Sequence, residues 1–166
     1  PGWALTLPPD KVDLAIPADV SLLIESQLDG LSPADRALLQ AASVAGEDFS
    51  PLVVAAALGQ EEADAEMRCE AFARAGRFLR TAGHVEWPDH RLSRRYRFSH
   101  ELYRKTVYAQ ITEGQCMRLH QRIGEALEAA YGARRLEIAP SLAGHFHRGH
   151  DDGRAIHYLT AAATAA

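Results

Sequence analysis

The chain has 166 residues, of which 47% are hydrophobic and 24% charged, with a formal net charge of −4. That is long enough for one good core or two small ones, and the balance is the one expected of an ordinary soluble globular protein. No apolar run approaches the roughly 18 residues of a membrane span and no signal-peptide pattern opens the chain. Cys69 and Cys116 stand far apart without CxxC spacing, which implies neither a zinc ribbon nor a disulfide framework and leaves a cytoplasmic protein with two buried thiols as the expectation.

The modest net charge hides an asymmetry. Residues 1–66 carry two basic side chains against twelve acidic ones, residues 67–105 carry ten against four, and the remainder balances. The basic middle could face nucleic acid, nucleotide phosphates or the acidic first third of its own chain. Because the chain as a whole repels a polyanion, pairing within the protein is the favoured reading.

Residues 1–16 hold Pro1, Pro8 and Pro9 and no apolar period, and read as an arm or linker. From Pro17, the residues Val20, Leu23, Ile24 and Leu28 form a helical stripe that Gly30 stops. In Ser32-Pro33-Ala34-Asp35 a serine caps, a proline takes the first helical position and an acid sits in the first turn; the helix runs through Leu38, Leu39, Ala42 and Ala45 to Gly46. Ser50-Pro51 repeats the signal for a short helix ending at Gly59, and a fourth helix over 62–75 buries Ala65, Cys69 and Phe72. Residues 83–87 and 94–98 read as strands joined by the turn-rich 88–93. Three helices followed by a β-hairpin make a winged-helix pattern, here over 17–112.

The rest is helical: 99–111, 115–131 with Cys116, Leu119, Ile123 and Leu127 inward, 138–148, and 152–166. The last pair resembles a tetratricopeptide-like hairpin, its small-residue run Ala161-Ala162-Ala163 letting neighbours stack closely. One such hairpin cannot build a superhelix alone, so 113–166 reads as the start of an array expected to continue in a longer protein. The expected class is mainly α: a winged-helix subdomain with a small β-hairpin, then tetratricopeptide-like antiparallel helices.

The most informative segment is Tyr96-Arg97-Phe98-Ser99-His100-Glu101-Leu102-Tyr103. Tyr96 and Phe98 alternate like a half-buried strand, whereas Tyr103, Val107 and Ile111 recur at helical spacing. The period changes at Ser99, so Ser99 is expected to cap a helix with His100 in its first turn. Unpaired backbone N–H groups and the helix dipole there favour a negative group, suitable chemistry for sensing a phosphate.

These residues also carry a likeness. Phe98-Ser99-His100-Glu101-Leu102 resembles the Phe-x-His-x-Leu helix start in the winged-helix region of STAND-type signal-transduction ATPases, a class that includes ATP-binding LuxR-type, SARP-type and cyclase-linked regulators. It is similar too to the Met-His-Asp motif of immune-receptor relatives, with Glu101 where those have aspartate. Gln27-Leu28-Asp29-Gly30-Leu31, the stretch from Leu39 to Phe49, Arg118-Leu119-His120-Gln121-Arg122-Ile123-Gly124 and Leu142-Ala143-Gly144-His145-Phe146 follow in the family's order. The resemblance runs from about residue 17 to the C-terminus. It implies that His100 touches the phosphates of ATP or ADP held by an upstream ATPase domain; the basic residues Arg94, Arg95 and Arg97 of the hairpin are candidates to face that domain or the phosphates. It also implies downstream helical repeats, a protein or small-molecule inducer, and an output such as transcription activation.

The chain is not expected to be an enzyme itself. Its two lysines, Lys11 and Lys105, do not follow a glycine-rich loop, so the phosphate-cradling G-x-x-x-x-G-K-[ST] motif is missing. Ser99, His100 and Glu101 have triad residue types, but neighbours on one turn diverge. His145, His147 and His150 lack the spacing of a standard metal site, and His145 reads as a packing residue. The rival reading is a DNA-binding winged helix using Arg68, Arg74, Arg77, Arg80, Arg91, Arg94, Arg95 and Arg97; a plain protein-interaction scaffold comes third. Against DNA, the fourth helix also carries Glu66 and Glu70, and asparagine is absent from the whole chain.

Overall fold

Serine caps and glycine stops divide the first part of the chain into helices. The computed structural model describes residues 17–165; the proposed arm over 1–16 lies outside them. Helix α1 (Ala18–Asp29) is followed by α2 (Pro33–Ala45), where Ser32 Oγ accepts the Asp35 N–H at 3.1 Å. Ser50 Oγ accepts the Leu52 N–H at 3.2 Å and opens α3 (Pro51–Leu58), which Gly59 closes in the left-handed region at φ 69°. Helix α4 (Glu62–Arg74) buries Ala65, Cys69 and Phe72, the expected inward face.

Three antiparallel strands form the sheet in the order β1-β3-β2: β1 (Asp48–Phe49), β2 (Leu79–Glu86) and β3 (Leu92–Phe98). Leu79 faces Phe98 at one end and Glu86 faces Leu92 at the other, with a register shift between Thr81 and His84 where Gly83 takes φ 86°. β2 begins four residues before the expected Gly83. Phe78 and Leu79 enter the core there and pull the chain into the sheet, although the following residues are exposed and lack an apolar period. β1 was not foreseen at all; Asp48 pairs with Arg97 and Phe49 with Tyr96.

After the hairpin come α5 (Glu101–Ala109), α6 (Glu113–Tyr131), a 3-10 segment over Gly132–Ile138, α7 (Ala139–Arg148) and α8 (Asp152–Thr164). Thr112 Oγ1 accepts the Gln115 N–H and starts α6. Ile24 and Leu28 of α1 are buried but Leu23 is 60% exposed, so the α1 stripe is narrower than its sequence implied. Among the described residues no helix is long and apolar enough to cross a membrane.

Two apolar clusters result. The larger joins α1 to α6 and the sheet, with Leu119 and Ile123 of α6 inside it. The smaller holds Leu142, Phe146, Ala155 and Tyr158 of α7 and α8, and Leu127 packs against both. Gly124 lets α7 come close: a Cβ there would lie 3.0–3.3 Å from the Phe146 ring. Phe146 in turn stacks on Tyr158, whose hydroxyl donates to Glu128, and Arg154 pairs with Glu128 and Asp151.

Candidate functional site

His100 occupies the strand-to-helix junction, but as the N-cap residue itself, with extended backbone (φ −141°, ψ 143°) and no side-chain cap bond. Ser99 is not the cap. Its N–H is drawn instead to the Phe78 carbonyl at 2.7 Å, which ties the end of β3 to the start of β2. The His100 ring is exposed and lies 5.9 Å from the Tyr103 ring, centroid to centroid. Glu101 turns to Arg104, whose Nε lies 3.0 Å from its carboxylate. His100 is thus an accessible imidazole at the start of a helix whose first N–H groups lack intrahelical acceptors.

The basic residues of the hairpin are largely engaged by the protein's own acids. Arg97 forks onto Asp48 at 2.5 and 2.9 Å, joining β3 to β1. The hydrogen bond from Arg97 holds the Asp48 carboxyl below its ordinary range despite partial burial. Arg94 reaches Glu70 of α4 at 2.9 Å, and Tyr96 donates to the same carboxylate at 3.0 Å. Arg95 donates to the Ala82 carbonyl at 3.2 Å, Arg91 pairs with Asp89 and Arg68 with Asp35. The acidic first third and the acids of α4 therefore meet much of the basic middle segment within one fold.

A second constellation brings together residues far apart in sequence. The last turns of α2, α5 and α7 and the side of α6 line a cleft of about 530 Å³. In its wall, His120 and His145 are buried with their Nδ1 atoms 3.0 Å apart. His120 Nε2 lies 3.2 Å from the Tyr108 hydroxyl, to which the Cys116 thiol donates at 3.1 Å. Burial pushes both imidazoles down to about 4, and the positive charge of Arg148 acts in the same direction. Both rings are therefore neutral at neutral pH.

His145 is buried, as its reading as a packing residue required, whereas His147 and His150 are exposed and do not join it. Among the described residues no group of three or more histidines, cysteines, aspartates and glutamates could hold a metal ion. Sequence reasoning did not single out the His120–His145 pair. One signal was available: His120 follows Cys116 by four residues and precedes Ile123 by three, placing it on the inward face of α6.

No family model matches the chain, and neither the curated proteins nor the solved structures yield a match.

Proposed function

We propose that this chain is the regulatory, signal-transducing part of a multidomain ATP-dependent switch protein. On this reading residues 17–112 are a winged-helix subdomain and 113–166 begin a tetratricopeptide-like array. The first meets a nucleotide held by an ATPase domain of the same protein, and the second passes the state of a helical sensor to an output such as transcription activation. No reaction is carried out by the chain itself.

The observation that carries this reading is the position of His100. Its ring is accessible, unused as a side-chain cap, and stands where a strand turns into a helix N-terminus, within the Phe98-to-Leu102 pattern. A phosphate brought there across a domain boundary would meet an imidazole and free backbone N–H groups together. Arg94 and Arg97 are engaged by Glu70 and Asp48, which counts against DNA binding and equally against these two arginines as the groups that face the phosphates, and leaves His100 to carry the reading.

The decisive experiment is ADP release from the longer protein. Replacing His100 with alanine is expected to weaken the nucleotide-bound state by roughly 1–3 kcal/mol, the range for a hydrogen bond to a charged group. ADP then leaves faster and output without inducer rises, while Glu101→Ala, whose carboxylate serves Arg104, has a smaller effect. Unchanged ADP release in His100→Ala would reduce this histidine to a structural residue.

A further inference from the structure

The cleft between α2, α5, α6 and α7 is a separate matter from His100. We propose that it binds a phosphate group, free or borne by a small organic molecule, with Lys105 and Arg148 supplying the charge and the Nε2–H of His145 the directed hydrogen bond. Its volume of about 530 Å³ exceeds a bare phosphate and lies within the range of small-molecule sites.

The hydrogen bonds in the wall form a line that can be ordered so as to end in a donor. Cys116 donates to the Tyr108 oxygen, and on this proposal the Tyr108 hydroxyl donates in turn to His120 Nε2. A neutral imidazole that accepts at Nε2 carries its proton on Nδ1. In that order His120 donates through Nδ1–H to His145 Nδ1, and His145 carries its own proton on Nε2. His145 Nε2 makes no hydrogen bond among the described residues. His145 lines the cleft, so four side chains are aligned to end in one donor at its surface, each bond polarising the next.

The charges agree with an anion. Arg104, Lys105 and Arg148 line the cleft against a single carboxylate, Glu47. Arg104 is committed, to Glu101 and to the Ser43 carbonyl at 3.2 Å, where it offsets the negative end of α2. Lys105 and Arg148 have no acidic partner among the described residues, and both are exposed. Two exposed cations and one ring N–H suit an anion with three acceptor oxygens better than a carboxylate with two. The competing account is that Lys105 and Arg148 only complement the carbonyl ends of α5 and α7.

Imidazole-resolved ¹H–¹⁵N spectra of the 166-residue chain, titrated with inorganic phosphate and, at matched ionic strength, with acetate, separate these accounts. Before any anion is added, His120 is expected as the Nδ1–H tautomer and His145 as the Nε2–H tautomer. Phosphate then shifts the His145 signal saturably, acetate does not, and Arg148→Ala or Lys105→Ala weakens the response roughly tenfold. Phenyl phosphate in a parallel titration identifies the source: tighter binding points to an organic phosphate ester, equal binding to the free ion. The opposite tautomers, a response shared with acetate, or one unaffected by Arg148→Ala overturns the proposal. Loss of stability in Arg148→Ala with no phosphate response in the unaltered chain also overturns it, in favour of helix-end complementation.

Discussion

His120 and His145 are buried side by side, and their burial makes folding depend on pH in one direction. An unfolded histidine titrates near 6.5, whereas burial holds His120 and His145 at about 4 in the fold. Below pH ~6.5 the unfolded chain therefore takes up protons that the folded chain refuses, and stability falls until about pH 4. The loss is on the order of 3 kcal/mol for a ring shifted this far. Urea midpoints should drop between about pH 7.5 and pH 5, and His145→Gln should flatten that slope; a midpoint that does not move would show that the rings are not buried neutral. Packing at the same interface gives a second expectation. Gly124→Ala places a methyl group 3.0–3.3 Å from Phe146, which is fully buried and stacked on Tyr158, so the ring has little room to yield. The helix gains propensity, but overpacking costs about 1–3 kcal/mol and is expected to dominate in chemical denaturation. Ser32 and Ser50 cap as their spacing required, because an N-cap needs only the next few residues, whereas Ser99 does not cap, its N–H being drawn across the hairpin to the Phe78 carbonyl. The histidine pair was not readable in the sequence, because it exists only once α6 and α7 pack.

Strand β1 shows the same limit at the level of elements. Two residues carry no period; Asp48 and Phe49 become a strand only by pairing with Arg97 and Tyr96, far along the chain. The α4 face and the β3 alternation were legible because each repeats within its own segment. Arg97 fastens β1 at the sheet edge, so Arg97→Ala should lower the urea midpoint. Combining it with Asp48→Ala should cost less than the two single losses added, since the partners act as one. The bond also depresses the Asp48 carboxyl, so its contribution is present above the ordinary carboxylate range and fades as pH falls through it. Arg94→Ala with Arg95→Ala is expected to leave the circular dichroism spectrum unchanged, as surface charges usually do. If the DNA reading were right, the unaltered chain would retard a random duplex with an affinity falling steeply in salt; no such retardation is expected.

Across the whole molecule the two apolar clusters differ in size, and their openings should differ accordingly. The α7–α8 cluster has few buried side chains and leans on α6, while α3 is surrounded by α2, α4 and α6. Native-state hydrogen exchange should find α8 amides opening at lower free energy than those of α3, and equal protection in both would mean that the molecule opens as one unit. Helix α6 belongs to both clusters, and this matters while the chain is being made. A ribosome delivers the serine-capped helices and the hairpin first, yet Leu119 and Ile123 must leave the exit tunnel before the larger cluster can be filled. At about 5–20 residues per second the 19 residues of α6 take roughly one to four seconds to add. During that interval α3, which packs against α6, stands uncovered on that side, and the nascent chain is expected to be most open to proteases and chaperones just before α6 arrives.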